Sequence, residues 1–228
     1  MKTGTSIVVA VFVLAACTAK ENAPAPDSSA PVAAANSDPD RNVAGGSIPA
    51  GFAARTDRAD APISGASYTA SGESWEVKTG PAHIVYAAKD TVSGAYTVSA
   101  TIEQLEKPTH PEAYGLIIGG RDLDQPSQTY TYFVVRGAGE LLVKVREGGQ
   151  TRDVLKWSAN ADLPKEDAAG KATYALSATV TSDAVKFFAN GKQVASVSKA
   201  GLPTDGIAGL RINHNLHLRV TPVSIQKP

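Results

Sequence analysis

The sequence has few of the residues that would point to several common kinds of protein. Its 228 residues include a single cysteine, Cys17, so the chain cannot form an internal disulfide bond. Its 22 basic and 22 acidic residues leave no net charge. This balance argues against a nucleic acid or an anionic membrane surface held by bulk charge. Long runs with the period of a helix are scarce, whereas the chain has 20 glycines and 14 prolines, and that pattern favours an all-β protein.

The N-terminus has the features of a secretory signal. Lys2 precedes a short apolar run, Ile7–Ala16, which is too short to span a bilayer as a mature helix. Residues 14–17 read LAAC, which resembles a bacterial lipobox. The resemblance implies a signal peptide over residues 1–16 and acyl chains, palmitate among them, on Cys17. Lipid alone would then hold the protein to a membrane; the alternative is an ordinary signal with an incidental cysteine.

Thr18 adds an expectation about location. An aspartate directly after the lipidated cysteine of a Gram-negative lipoprotein often means retention in the inner membrane. Thr18 stands there in this chain. In such a host, therefore, we expect the outer membrane of the cell envelope, with the domain facing the periplasm and surface exposure left open.

The segment after Cys17 is poor in large side chains. Residues 17–48 are rich in alanine, proline, serine, asparagine and aspartate, with no large apolar side chain before Ile48. Such a segment cannot bury enough apolar surface to offset the entropy of ordering. We therefore predict a lipidated, disordered tether over residues 17–48 and one folded domain over residues 49–228.

Candidate strands recur throughout the predicted domain. Ala95–Gln104 and Lys171–Val180 alternate apolar with polar residues, which is the period of a strand with one solvated face. Asn190-Gly191 joins two further apolar runs and fits the type I′ turn of a hairpin. Pro164–Ala169 is the only helix-like candidate, at most one turn long.

The central part of the domain and its C-terminal part are also predicted to form strands. Residues 114–146 predict an antiparallel meander, and the final runs, Gly206–Asn213 and Leu216–Ile225, predict another strand pair. About ten strands without a long helix predict an all-β, two-sheet antiparallel jelly-roll sandwich. A seven-stranded immunoglobulin-type sandwich is the alternative.

A set of ordered phrases resembles the concanavalin A-like lectin/glucanase superfamily, in its laminin-G-like and bacterial jelly-roll branches. The phrases are Ser74–Val77 with Gly80-Pro81, Ala95–Val98, Tyr114–Gly120, Tyr130–Arg136, Leu155–Trp157, Phe187–Lys192 and Gly206–Arg211. Together they cover nearly the whole domain. The resemblance implies two curved sheets, with ligands on the concave face or on the rim loops. It implies no single function, because lectins, glycosidases and adhesion modules share the fold.

The acidic residues do not follow the pattern of an enzyme with this fold. Glycosidases of the superfamily carry a Glu-x-Asp-x-x-Glu run, whose nucleophile and acid/base lie about 5 Å apart, and the sequence has no such run. Glu140 and Glu147 flank one predicted strand but would lie roughly 20 Å apart along it. We therefore expect no catalytic residues and no cofactor; a hydrolase-like enzyme without the usual carboxylates is an alternative.

Two groups of potential metal ligands have a plainer interpretation. His214 and His217 lie three residues apart in a strand–turn sequence, which favours a polar turn and an outward strand residue over a metal pair. Asp122 and Asp124 offer oxygen ligands for Ca²⁺, but two aspartates without a third acid are more often a solvated loop. The sequence therefore predicts no metal site and leaves Ca²⁺ at this loop open.

Aromatic and basic residues predict a binding face. On each strand of the hairpin within residues 129–147, these residues share parity, and antiparallel pairing sets the two groups side by side. Rings with a few polar groups suit a sugar; the alternative is that the tyrosines are core and the basic residues a solvated edge. The candidate ligand-binding residues are Tyr130, Tyr132, Arg136, Lys144, Arg146 and Trp157. We expect a non-catalytic, carbohydrate-binding domain; the alternative is a structural or accessory lipoprotein that binds another protein.

Overall fold

The computed structural model describes residues 1, 4, 38–45 and 47–228. The predicted signal peptide, the lipidation site Cys17 and most of the predicted tether lie outside these residues, apart from positions 1 and 4. Asp38–Pro228 form one unit by their internal contacts. Among the described residues, no helix has the length and hydropathy needed to cross a membrane.

Strands make up most of this unit. A single 3₁₀ turn, Ile63–Gly65, is the only helical element in the described part of the chain. The strands are β1 (Ala53–Thr56), β2 (Ala66–Ser71), β3 (Ser74–Thr79), β4 (His83–Val92), β5 (Tyr96–Gln104), β6 (Ala113–Arg121), β7 (Thr129–Arg136), β8 (Glu140–Glu147), β9 (Gln150–Ala159), β10 (Ala172–Val180), β11 (Ala184–Ala189), β12 (Lys192–Ser198), β13 (Gly206–Ile212), β14 (His217–Val220) and β15 (Ser224–Gln226).

The strands form two antiparallel sheets. One sheet has seven strands in the order β1-β4-β13-β6-β7-β8-β9. The other has eight, in the order β12-β11-β10-β5-β14-β3-β2, with β15 pairing with β5. Some neighbouring strands follow one another in the chain, but others, such as β4 and β13 or β5 and β14, are far apart in sequence, so the chain crosses between the sheets repeatedly. This confirms the predicted all-β, two-sheet jelly-roll sandwich.

The main core lies between the two sheets and follows the period of two. The alternating apolar residues of the two runs on β5 and β10 are all buried: Tyr96, Val98, Ala100, Ile102, Tyr174, Leu176, Ala178 and Val180. The seven-stranded sheet meets them with alternate residues of β6, β7 and β8. Phe133 of β7 and Phe187 of β11 join the sheets, with ring centroids 4.8 Å apart. The residues of β7 between these core positions therefore point to the opposite, outer face of the seven-stranded sheet.

The last strands differ from the sequence prediction. β13 and β14 do not pair, because β13 lies in the seven-stranded sheet and β14 in the eight-stranded one. Asn215, between them, has a φ of 56°, a left-handed conformation that asparagine tolerates and that turns the chain from one sheet to the other. Pro164–Ala169 also forms no helix. The Asp167 carboxylate accepts backbone hydrogen bonds from Ala169 and Lys171 at 2.8 and 2.9 Å instead, which favours a turn.

Part of the predicted tether contacts the sandwich. The backbone N–H of Arg41 donates to Asn215 Oδ1 at 2.6 Å, and Asn215 Nδ2 donates to Asp38 Oδ1 at 3.0 Å. The Arg41 guanidinium pairs with Glu106 at 2.7 Å. These contacts hold residues 38–41 against the corner between β13 and β14, while the boundary at residue 49 stays a prediction.

Candidate functional site

The hairpin of β7 and β8 brings most of the predicted binding residues onto one surface. Tyr130 lies opposite Arg146, and Tyr132 lies opposite Lys144. The neighbouring residues Phe133 and Val143 belong to the core between the sheets, so this set points away from that core. The outer face of the seven-stranded sheet is therefore the surface on which the candidate residues lie.

Two arginines converge on one carboxylate at this outer face. Arg211 on β13 donates to both oxygens of Asp57, which follows β1, with two distances of 2.5 Å. Arg146 Nη2 lies 3.5 Å from Asp57 Oδ1. The Arg211 guanidinium is also 6.0 Å from the centroid of the Tyr132 ring. We call Asp57, Arg146, Arg211 and Tyr132 the charged cluster.

Burial and ion pairing set the charge state of this cluster. Burial raises the pKa of the Asp57 carboxyl, but the hydrogen bonds and the charge of Arg211 outweigh it, so the pKa lies below its ordinary value. Burial lowers the pKa of Arg211, and the hydrogen bonds and charge of Asp57 raise it further than burial lowers it. The cluster therefore holds two guanidinium groups and one carboxylate at neutral pH.

The two tyrosines of β7 differ in their exposure. Tyr130 is 1% exposed and packs in a second apolar cluster with Ile117 and Leu123. Tyr132 is only partly buried, and the two ring centroids are 5.8 Å apart. Burial raises the pKa of both phenols. Tyr132 is thus the more accessible ring, and Tyr130 supports it from the side.

Arg136 and Trp157 form a second group on the same face. The Arg136 guanidinium carbon lies 4.3 Å from the centroid of the Trp157 ring, in the range of a cation–π contact. Arg136 also forms an ion pair with Glu140 at 2.5 Å. Trp157 is 38% exposed, and among the described residues only Met1 is another exposed large apolar side chain. Trp157 therefore offers a ring to solvent beside a fixed guanidinium.

Lys144 links the two groups along β8. Its ammonium lies 3.1 Å from Asp153 on β9, which faces it in the register of the two strands. The six predicted residues thus share one face, but they divide into the charged cluster, the Arg136–Trp157 group and a lysine–aspartate pair. Tyr130 is the one that lies almost wholly out of contact with solvent.

Sequence reasoning missed Asp57 and Arg211. Arg211 lies between Leu210 and Ile212, both buried in the core. The alternation along β13 could therefore have placed Arg211 on the outer face. Asp57 carried no such signal, because it is 154 residues away from Arg211 in the chain. Only the order of strands in the sheet brings the two together.

The structure does not bring together the pairs of potential metal ligands that the sequence spacing suggested. His217 Nε2 lies 2.8 Å from Glu76, whereas His214 Nε2 lies 2.9 Å from Glu112, so the two histidines belong to separate clusters. Asp122 and Asp124 are exposed. Within the described residues, neither belongs to a group of three ligands close enough to hold one metal ion.

Comparison with known proteins confirms the fold. No protein-family model matches the sequence, and no curated protein matches it either. Among solved structures, the carbohydrate-binding module CBM66 from Bacillus subtilis is 12% identical, with a TM-score of 0.54 over 78% of this chain and 96% of that one. A Bacillus subtilis protein of unknown function with a galectin-like fold is also 12% identical, with a TM-score of 0.55 over 77% and 88%.

An enzyme shares the same architecture. A family 16 glycoside hydrolase, an endo-glucanase from Bacteroides ovatus, is 10% identical to this chain, with a TM-score of 0.53. The match covers 77% of this chain and 94% of the hydrolase. At these identities the likeness shows the fold alone, and the fold is the concanavalin A-like jelly roll that the sequence phrases resemble.

Proposed function

We propose that the protein is a lipid-anchored envelope protein whose sandwich domain binds carbohydrate on the outer face of the seven-stranded sheet. The observation that carries the proposal is the convergence of Asp57, Arg146, Arg211 and Tyr132 on that face, with the Trp157 ring exposed on the same face. Rings that stack on the C–H face of a sugar, beside groups that bond its hydroxyls, are what a glycan site requires.

An unpaired donor in the charged cluster supports the proposal. Arg146 Nε is buried and has no hydrogen-bond partner within the described residues. Leaving a buried donor unpaired is costly, and a shift of the Arg146 side chain on binding would let a sugar oxygen satisfy it. The cluster carries two guanidinium groups against one carboxylate, so an acidic sugar would be favoured over a neutral one.

The structural neighbours agree with a glycan-binding fold, and the sequence argues against catalysis. One is named as a carbohydrate-binding module and another as an endo-glucanase, so the fold serves proteins that hold glycans. The Glu-x-Asp-x-x-Glu run expected of a glycosidase with this fold does not occur in the sequence. A binding protein is therefore the better fit.

A protein partner is the competing function. It would be favoured by a contiguous exposed apolar patch. Trp157 is the only large apolar side chain exposed on the sandwich among the described residues, and it lies against Arg136. A single ring beside a charge suits a sugar better than a broad protein interface.

A glycan array probed with the purified full chain tests the proposal, followed by calorimetry on the glycans retained. Tyr132→Ala and Trp157→Ala should each weaken binding about fivefold, because a stacked ring contributes about 1 kcal/mol. Tyr130→Phe is the matched control: it keeps the buried ring and should leave affinity unchanged. Retention of no glycan at millimolar concentration, or an unchanged affinity in both alanine variants, would overturn the proposal.

A further inference from the structure

A histidine and three carboxylates meet at the corner where the N-terminal segment crosses the sandwich. His214 lies in the turn between β13 and β14, and Glu112 directly precedes β6. Asp38 and Asp40 come from the segment that the sequence predicted as tether. His214 Nε2 lies 2.9 Å from Glu112 Oε1 and 3.5 Å from Asp38 Oδ2. One ligand atom from each of these three residues lies within 4.8 Å of the other two.

The separations match those of ligands around a single small cation. Zinc binds imidazole nitrogen and carboxylate oxygen at about 2.0–2.2 Å, so two ligand atoms at tetrahedral positions lie roughly 3.4 Å apart. The distances of 2.9 and 3.5 Å from His214 Nε2 are close to that value. The third separation, between the Asp38 and Glu112 oxygens, is at most 4.8 Å.

The surrounding residues already orient each of the three ligands. The second ring nitrogen of His214, Nδ1, lies 3.1 Å from Asp40 Oδ1. Asn213 Nδ2 donates to Glu112 Oε2 at 3.0 Å, and Asn215 Nδ2 donates to Asp38 Oδ1 at 3.0 Å. Each potential ligand thus has its remaining polar atom held, which leaves the inner atom directed at the shared point. A carboxylate behind the distal nitrogen of a ligating histidine is the usual support of a zinc site.

The chemistry of the ligand set selects among metals. An imidazole nitrogen with carboxylate oxygens suits zinc, whereas Ca²⁺ and Mg²⁺ prefer oxygen ligands alone. With three protein ligands, the fourth position of a tetrahedral ion would take water. In the structure both His214 nitrogens face carboxylate oxygens, and a metal ion bound at Nε2 would require that nitrogen to be unprotonated.

We propose that Asp38, Glu112 and His214 bind one zinc ion, which fastens the end of the N-terminal segment to the sandwich. Asp40 is the positioning residue behind His214. The ion would join three parts of the chain that are far apart in sequence: the segment before β1, the start of β6 and the β13–β14 turn. The position at which the segment leaves the domain would then depend on the metal.

Calorimetry on the metal-free, untagged full chain tests the binding, with ZnCl₂ in one titration and CaCl₂ in another. We expect one zinc per chain at micromolar or tighter affinity and much weaker binding of calcium. His214→Ala should weaken zinc binding at least tenfold, and Asp40→Asn by about tenfold or more. His217→Ala is the matched control, since His217 also contacts two carboxylates, Glu76 and Glu106, and should leave the affinity unchanged.

Limited proteolysis tests whether zinc holds the N-terminal segment against the sandwich. Trypsin cleaves after arginine, and Arg41 lies on the segment that the ion would hold. Zinc should slow cleavage after Arg41 in the wild-type chain and in His217→Ala. Zinc should have no effect on cleavage in Asp38→Asn. This conservative change lies outside the strands, so it keeps the test valid if His214→Ala fails to fold.

Three outcomes would overturn the proposal: no zinc bound at millimolar concentration, zinc bound as tightly by both His214→Ala and Asp38→Asn, or calcium bound as tightly as zinc. Equal cleavage after Arg41 with and without zinc would show that zinc does not hold the N-terminal segment against the sandwich.

Discussion

Arg211 and Asp57 form a bidentate ion pair that links the end of β1 to β13 in the seven-stranded sheet. Both guanidinium Nη atoms lie 2.5 Å from separate oxygens of the carboxylate. The Arg211 side chain is 10% exposed and that of Asp57 is 31% exposed. The pair crosses β4, which lies between β1 and β13. It therefore fixes the edge of the sheet and one side of the proposed glycan site together.

Removing the carboxylate of this pair should destabilise the domain. Asp57→Ala leaves the Arg211 guanidinium buried without its main partner, and breaking a buried pair in this way costs about 3 kcal/mol. The free energy of unfolding from urea titration measures it. Asp60→Ala is the control, because Asp60 is 80% exposed and pairs with an exposed arginine, so its loss should change stability by less than about 0.5 kcal/mol. Equal effects of the two variants would contradict the expectation.

His83 should make the domain less stable in mild acid. It is fully buried between Tyr68, whose hydroxyl lies 2.5 Å from Nε2, and the Pro81 carbonyl, 2.9 Å from Nδ1. Burial lowers the pKa of the imidazole from 6.5 to about 4. The unfolded chain takes up a proton below about pH 6.5, whereas the folded chain does so only near pH 4. The contribution is therefore fully present above pH 6.5 and is lost as the pH falls towards 4, by about 3 kcal/mol in all.

Urea titrations from pH 7 to pH 4 measure this dependence. His83→Gln should be less stable at pH 7, because it disturbs a buried hydrogen bond, but its stability should fall less steeply with acid. His110→Ala, at an exposed position, should keep the wild-type slope. If His83→Gln and wild type lost stability in parallel, the buried neutral histidine would not be the cause.

Cell fractionation tests the lipid anchor at Cys17. We expect wild-type protein in the membrane fraction and Cys17→Ala in the soluble fraction, because the acyl chains would be the only hold on the bilayer. A substitution of the neighbouring Thr18 by serine should leave the protein with the membrane. Wild-type protein found wholly soluble would remove the lipid from the proposed function.

Local patterns in the sequence predicted the strands that alternate and the hairpins that are short. β5 and β10 were found by their period of two, since each has one face in the core and one in solvent. The side-by-side placement of the aromatic residues of β7 and the basic residues of β8 also followed from sequence, because a tight turn joins the two strands. Such features depend on neighbours in the chain.

Features that depend on sheet order were not predictable in the same way. β9 was missed as a strand because it is mostly exposed, so it shows little alternation. The burial of Tyr130 depends partly on Leu123, which comes from the loop after β6. The partners of Arg211 and His214 lie 154 and 174 residues away. No spacing rule relates such residues until the order of the strands is known.

Gly119 is a position where any side chain should disturb the sheet beside the proposed glycan site. It has a φ of 66°, a left-handed conformation that is unfavourable for alanine by about 1 kcal/mol. A Cβ there would also meet the backbone of Pro203 and Thr204, which cannot move as a flexible side chain does. We therefore expect Gly119→Ala to lower the free energy of unfolding by roughly 2 kcal/mol or more. Gly149→Ala is the matched control, since that glycine has open space around its Cβ position and no positive φ. A urea midpoint for Gly119→Ala equal to that of Gly149→Ala would mean that the bulged end of β6 can shift. In that case the loop carrying Leu123 would not hold Tyr130, and with it Tyr132, in a fixed place.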